Sequence, residues 1–228
     1  MAVHKLRTTI RRGETYLAGC SAPGLPKILK GLKRIRKRAG SVRDIDVQLE
    51  LLKSLHRPSD SDVITVHRLL IRQREKQARK LTKAISSTLE QDLPAKLKQL
   101  VVDHPLKMQP SALMVGNLAE QFFTELSKEP LDAANLHAFR LVSKHLRYNA
   151  EMMPASELRD NFISSLKEVQ DAIGLWHDYL NLEATAREAL GEGRYTLMQR
   201  HLHAQVHVNF LEALRTVSRS EIAIRAQF

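Results

Sequence analysis

Apolar residues recur every three or four positions along most of the chain, a spacing typical of amphipathic α-helices. In segment 41–55, for example, Val42, Ile45 and Leu49 fall on one helical face. Prolines, glycines and short polar stretches interrupt this pattern and mark the ends of helices. The predicted helices span residues 2–18, 27–39, 41–55, 61–90, 94–104, 111–127, 131–153, 156–173, 175–190 and 194–220.

Two of the predicted helix ends are single glycines, Gly40 and Gly174. Glycine is common just past the last residue of a helix, so we expect a break at both positions. Ser41 would then begin a new helix and place Asp44 and Asp46 in its first turn. There the carboxylates would complement the helix dipole; the alternative is that they orient neighbouring arginines.

Composition narrows the fold to an all-α protein. Hydrophobic residues make up 43% and charged residues 27% of the 228 positions, which is typical of a globular chain. Aromatic residues are only 5%, whereas Leu, Ala, Lys and Glu, which favour helices, are frequent. No stretch approaches the ~20 apolar residues that a membrane span needs. Cys20 is the only cysteine, so no intramolecular disulfide can form, in keeping with a reducing cytosol.

Positive charge is concentrated in the first quarter of the chain. Residues 1–57 hold 14 Lys and Arg against 4 Asp and Glu, whereas residues 131–228 hold 11 against 12. The whole chain carries a formal net charge of +11. A basic block of this kind indicates a polyanionic partner such as nucleic acid, a phosphate polymer or an anionic membrane.

Segments 4–12 and 137–145 share the form His-x-apolar-Arg-x-x-x-basic-basic. On a helix, positions i, i+3 and i+7 lie on one face, so each segment presents a basic stripe. Like charges one turn apart destabilise an isolated helix, which suggests that each stripe holds an anion. The stripes consist of His4, Arg7 and Arg11 in the first copy, and of His137, Arg140 and Lys144, with Arg147 near them, in the second.

A second motif is also repeated. Segments 32–44 and 166–178 share a Leu-Lys pair, an apolar position, a glycine and an aspartate. The offset between the two copies is 134 residues, and that between the histidine motifs is 133. Two motifs that recur in one order at nearly one offset indicate an internal duplication. We expect two pseudo-twofold-related antiparallel helical bundles, residues 1–105 and 110–228, with a boundary at 106–110.

These four segments resemble the CHAD family, the conserved-histidine α-helical domain. The family is marked by His-x-x-Arg-x-x-x-(Lys/Arg) helices, each followed by a Leu-Lys…Gly…(Arg/Asn)-Asp segment. The resemblance covers nearly the whole chain. It implies two helical repeats whose basic faces line a groove or pore and bind inorganic polyphosphate, with no catalysis and no cofactor. Together with the single cysteine, this predicts a cytoplasmic location, with polyphosphate granules as a candidate place of association.

The two copies depart from the family pattern in places where an acidic residue replaces a basic one. Glu14 stands where the second copy has the basic Arg147, and Glu168 and Asp171 stand where the first copy has Arg34 and Lys37. We therefore expect the first half to dominate binding. The candidate polyphosphate-binding residues are His4, Arg7, Arg11, Arg12, Lys33, Arg36, Lys37, Arg43, His137, Arg140, Lys144, Arg147 and Lys167.

Other interpretations stay open. His4 and His137 suit either a ligand contact or a structural hydrogen bond. His203 and His207 are spaced for a metal on one helix, but the chain has no matching ligand motif, so we expect no metal site. No nucleophile–base motif or glycine-rich phosphate loop supports an enzyme. The alternative functions are sequence-nonspecific nucleic-acid binding, with nucleic acid as a competitor, and recruitment of protein partners by the near-neutral second half.

Overall fold

The computed structural model describes residues 2–18, 24–55, 61–90, 93–103, 112–191 and 196–228. Every regular element within these ranges is an α-helix, as the composition predicts. The helices are α1 (Ala2–Ala18), α2 (Leu25–Ser54), α3 (Ser61–Leu89), α4 (Leu93–Asp103), α5 (Ala112–Ser127), α6 (Leu136–Glu151), α7 (Glu157–Leu190) and α8 (Leu197–Arg225). Cys20, the predicted boundary at 106–110, the break at 58–60 and residues 192–193 lie outside the described residues.

The chain divides into two compact units, residues 1–107 and 108–228. In the first unit α1 and α3 both pack on α2. Its core is built from the apolar stripes of these helices and of α4, with Ile10 of α1, Leu32 and Ala39 of α2, and Leu81 of α3 among its buried members. Ala39 is fully excluded from solvent, so the middle of α2 is anchored in this core.

In the second unit α7 packs against α5, α6 and α8. Its core includes Phe122 of α5, Phe139 of α6, Val169 of α7 and Val217 of α8. Trp176 is 2% exposed and belongs to this core. The core is more aromatic than that of the first unit, where Tyr16 is the only Phe, Tyr or Trp within residues 1–107.

Neither Gly40 nor Gly174 ends a helix, so both predicted breaks are wrong. α2 continues from Leu25 to Ser54 and α7 from Glu157 to Leu190 without interruption. A glycine inside a helix costs about 1 kcal/mol relative to alanine, but burial of apolar neighbours outweighs that cost. Ala39 and Val42 are 0% and 2% exposed, and Ile173 and Trp176 are 0% and 2% exposed.

The ends of α6 and α8 also differ from the prediction. α6 begins at Leu136 rather than at 131, because the Asp132 side chain accepts hydrogen bonds from the backbone N–H groups of Ala134 and Asn135 and holds a turn there. α8 begins after Thr196, which forms a capping box with Gln199, and continues past the predicted end at 220. Ile224 is fully buried, and its burial stabilises the additional turn of α8 beyond residue 220.

Candidate anion-binding site

The first copy of the histidine motif lies on α1, along the side of that helix next to α2. His4 is exposed, whereas the Arg7 side chain is only 28% exposed. Arg7 Nη1 donates a hydrogen bond to Asp44 Oδ1 of α2 over 3.5 Å. A Cβ atom on Gly40 would lie 3.9 Å from Arg7 Nε, so Arg7 extends over α2 at the glycine. The structure therefore brings the histidine motif and the glycine motif of this unit together.

A second ion pair joins the same two helices. Arg36 Nε of α2 lies 2.5 Å from Glu14 Oε2 of α1, and both side chains are mostly buried, at 23% and 18% exposure. Sequence comparison showed that Glu14 replaces an expected basic residue, but it did not reveal Arg36 as its partner. The carboxylate neutralises one of the predicted anion contacts.

The remaining predicted cations of this unit differ in placement. Lys33 and Lys37 are exposed on α2, one turn apart. Arg43 is half-buried and lies 3.5 Å from Glu50, an exposed carboxylate farther along α2. Arg11 is half-buried, whereas Arg12 is exposed and lies about 100° farther around α1, off the stripe.

The predicted helix-dipole role of the aspartates is wrong, because Asp44 and Asp46 lie inside α2 rather than in a first turn. The contacts agree with the alternative, in which the aspartates orient neighbouring arginines. Asp46 Oδ1 accepts a hydrogen bond of 2.6 Å from Arg74 Nε of α3, and Asp44 accepts the one from Arg7. Ser41, predicted as a helix cap, instead donates its hydroxyl to the Lys37 carbonyl of the preceding turn.

In the second unit the two motifs meet through a pair of histidines. The rings of His137 on α6 and His177 on α7 stack with centroids 4.3 Å apart. Burial and, after it, the positive charges of His137, Arg140 and Lys144 together lower the pKa of His177 from 6.5 to about 4. His177 is therefore neutral at pH 7.

Arg140 is held against the backbone of α7. Its Nε donates a 3.0 Å hydrogen bond to the Gln170 carbonyl oxygen. A Cβ atom on Gly174 would lie 2.6 Å from Arg140 Nη2 and 3.2 Å from Cζ, so only glycine leaves room for this guanidinium. The Gln170 side chain is buried and donates to the Ser143 carbonyl of α6, which ties the two helices together at the same level. Gln170 and Gly174 are thus positioning residues that the sequence motif did not identify as such.

The other predicted residues of the second unit are less closely grouped. Lys144 is only 9% exposed, and its charge acts on His177. Arg147 contacts its own helix, with the Tyr148 hydroxyl at 3.3 Å and Glu151 at 3.4 Å. Lys167 is exposed on α7, one turn before Gln170, whose carbonyl oxygen accepts the hydrogen bond from Arg140. The charges of His137, Arg140 and Lys144 all act on His177.

The three histidines of α8 do not form a metal cluster. His203 Nδ1 lies 3.0 Å from Glu183 Oε1 of α7, and His201 and His207 are exposed. Across the described ranges, no group of three or more His, Cys, Asp or Glu side chains is arranged to hold a metal ion.

The helices and the two basic clusters define a class of protein: an all-α, basic protein whose cationic side chains cluster where a short motif helix crosses a long, glycine-containing helix. The chain belongs to the CHAD domain family, whose model matches residues 1–187. Among solved structures it is similar to PptA from Streptomyces chartreusis, with a TM-score of 0.58 and 17% sequence identity over 99% of this chain and 88% of that one. A comparison with curated proteins finds no matching relative. Among the described helices, none combines the length and apolar character needed to cross a membrane.

Proposed function

We propose that the chain binds inorganic polyphosphate, without catalysing a reaction on it, through the basic faces of α1 and α2 in one unit and of α6 and α7 in the other. Membership of the CHAD family supports polyphosphate as the ligand. Association with polyphosphate granules would follow from such binding and stays a prediction.

The observation that carries the proposal is the placement of Arg140 beside the histidine pair. The Gln170 carbonyl fixes its guanidinium, so little side-chain freedom remains to be lost when an anion binds. The same region holds Lys144 and the stacked rings of His137 and His177. Guanidinium, ammonium and imidazole N–H groups are the donors that suit phosphate oxygens, and a polyanion would favour the protonated form of His177.

An internal duplication accounts for the presence of two such sites, and we include it in the proposal. In each unit a motif helix of 17 or 16 residues precedes a long helix of 30 or 34 residues, and a helix of 29 residues follows. Gly40 and Gly174 both lie beneath the motif arginine of their own unit. This order of lengths and contacts supports equivalence between α1–α3 and α6–α8.

Single-stranded nucleic acid is less well matched than polyphosphate, because proteins that bind it stack its bases on aromatic side chains. Residues 1–107 hold most of the positive charge and contain Tyr16 as their only Phe, Tyr or Trp. In the second unit Phe122, Phe139 and Trp176 are buried in the core and unavailable for stacking.

Competition binding separates the two ligands. Long-chain polyphosphate is expected to displace duplex DNA from the full chain, and DNA is expected to displace polyphosphate poorly. Both ligands are measured at one fixed salt concentration, because binding of either polyanion depends on salt. Equal competition by DNA would contradict specificity for polyphosphate, and release of orthophosphate during the assay would contradict the non-catalytic part of the proposal.

A matched pair of variants tests the location of the site. The first variant changes Arg7, Arg11, Lys33 and Lys37 to Gln, and we expect it to lose about a hundredfold in affinity while its helicity is retained. The control removes the same number of charges from exposed positions outside α1 and α2, by changing Lys98, Lys128, Arg200 and Arg215 to Gln. Affinity of the control should stay within about threefold of the original chain. We call the basic faces of α1 and α2, and those of α6 and α7, the motif faces. Equal losses in both variants would show that net charge, and not the motif faces, determines binding.

A further inference from the structure

A second basic surface lies on α3, outside all four motif segments. Its exposed side chains follow one another every three or four residues along the face opposite the buried Val66, Leu70 and Ala84. We call this set the α3 ridge: Arg68, Arg72, Lys76, Arg79 and Lys83. From its first to its last member the ridge extends about 22 Å along the helix.

The ridge keeps most of its positive charge. Glu75 is the only acidic residue between positions 68 and 83. Its carboxylate lies 3.7 Å from Arg79, but both side chains are well exposed, at 61% and 80%, so water and salt weaken this pair. Five cations spaced one turn apart repel each other along the helix. A linear polyanion laid along α3 would relieve that repulsion at every turn.

The end of the ridge meets the helix that carries the glycine motif. Arg34 of α2 donates to the Ala84 carbonyl oxygen over 3.5 Å and to the Ser87 hydroxyl, and Ala84 directly follows Lys83. Within α2, Arg34 thus faces α3, whereas Gly40 and Arg36 contact α1. The exposed side chains of α2 next to Arg34 are Lys30, Lys33 and Lys37. Arg34 therefore links the exposed basic side chains of α2 to α3 at Ser87, one turn beyond Lys83, the last member of the ridge.

We infer that the α3 ridge is a second contact segment for a long polyphosphate chain, so that one strand bound at the motif face of the first unit continues along α3. This inference rests on the proposed function and adds to it a preference for long chains over short ones. A strand without bases suits the ridge, because α3 contains no Phe, Tyr or Trp on which a base could stack. A short oligophosphate occupies only the motif face and does not reach the ridge.

The test compares two probes on three forms of the full chain. The probes are tripolyphosphate and long-chain polyphosphate. The forms are the unaltered chain, a ridge variant in which Arg72, Lys76 and Arg79 are changed to Gln, and a control in which exposed Lys98, Arg200 and Arg215 are changed to Gln. Gln is about as good a helix former as Arg and Lys, so α3 should stay intact, which circular dichroism checks.

The ridge variant should bind long-chain polyphosphate about tenfold more weakly, and the slope of log affinity against log salt should fall by about two to three. Its affinity for tripolyphosphate should change less than about twofold, and the control should behave like the unaltered chain with both probes. Unchanged long-chain affinity in the ridge variant, or an equal loss in the control, would overturn the inference.

Two other outcomes separate this inference from the proposed function. If the unaltered chain binds neither probe, the proposed function fails, and the inference fails with it. If the ridge variant loses affinity for duplex DNA but keeps its affinity for long-chain polyphosphate, the ridge is a nucleic-acid surface. The inference is then wrong while polyphosphate binding at the motif faces stands.

Discussion

The two motif faces hold their arginines in different ways. In the first unit carboxylates contact the arginines: Asp44 accepts from Arg7, and Glu14 pairs with Arg36. In the second unit Arg140 donates to a backbone carbonyl and lies against Gly174. A carboxylate that orients a guanidinium also offsets its positive charge, whereas the carbonyl oxygen that orients Arg140 adds no opposing charge of its own.

This contrast separates two properties of an anion site, the amount of charge and its preorganisation. The first unit has more cations, but several of them are exposed or are paired with acids. The second unit has fewer cations, and packing against α7 fixes Arg140 and buries most of Lys144. We expect the first unit to contribute long-range attraction and the second to contribute contacts that need little rearrangement on binding.

Replacing Gly174 and Gly40 by alanine, one at a time, should give the largest difference between the two units. In Gly174→Ala the new Cβ displaces the Arg140 guanidinium, which loses its hydrogen bond to the Gln170 carbonyl. That loss of about 1.5–3 kcal/mol exceeds the gain of about 1 kcal/mol from better helix propensity, so stability should fall by about 1 kcal/mol. Polyphosphate affinity should fall about tenfold because Arg140 is no longer fixed.

Gly40→Ala is the matched control, because a Cβ there lies at an ordinary contact distance of 3.9 Å from Arg7. It should raise stability by about 0.5–1 kcal/mol and leave polyphosphate affinity nearly unchanged. Urea unfolding and isothermal titration calorimetry measure both quantities on the full chain. A stability change of the same sign in both variants would contradict the idea that Arg140 lies too close to Gly174 for a Cβ, whereas Arg7 leaves room for one at Gly40.

The two glycines also show which features of the fold the sequence alone could predict and which it could not. The helical class, the bounds of α1 and α3 and the family followed from periodicity and motif order, because these depend on local spacing. The continuity of α2 and α7 did not, because a glycine that ends a helix and one that admits an arginine look alike in one sequence. Only burial of the neighbouring residues Ala39 and Ile173 distinguishes them.

A smaller effect is expected from His177 when the pH changes. Its pKa is about 4 in the folded protein, mainly through burial and then through the charges of His137, Arg140 and Lys144, against an ordinary value of 6.5. Between these values the unfolded chain binds more protons, so stability should fall as the pH is lowered from 6.5 to 4 and stay level above 6.5. Because His177 is partly exposed, we expect a loss of about 1 kcal/mol rather than the full value implied by the shift.

Unfolding in urea at pH 7 and pH 5 measures this contribution, with His177→Gln as the comparison. The variant should lose less stability between the two pH values than the unaltered chain. Bound polyphosphate should act in the opposite direction and raise the pKa of His177, which a histidine NMR titration with and without the ligand would detect. A pKa of His177 near 6.5 in the free protein would contradict the burial and charge argument.

The partners of the site residues were the least predictable part. Sequence identified Arg36 and Arg140 as candidate cations, but it could not reveal that Glu14 faces one and the Gln170 carbonyl the other. Both contacts join different helices, and their geometry depends on how α1 crosses α2 and how α6 crosses α7. The acidic residue in the first motif was a visible departure, yet its effect on charge became clear only from the ion pair.

The smallest expected effect concerns that ion pair. Glu14→Gln removes the carboxylate 2.5 Å from Arg36 and leaves the guanidinium with its full charge at the motif face. Polyphosphate affinity should rise about threefold, since one repulsive charge is removed and one attractive charge is restored in a partly exposed site. Glu50→Gln is the control, because the Glu50 side chain is 66% exposed and its contact with Arg43 is longer, at 3.5 Å. This variant should change polyphosphate affinity less than about twofold. Titration of both variants with polyphosphate at low and moderate salt measures the effect. The gain in affinity from Glu14→Gln should shrink as salt is added. A fall in affinity would mean that Glu14 positions Arg36 for the ligand instead of neutralising it.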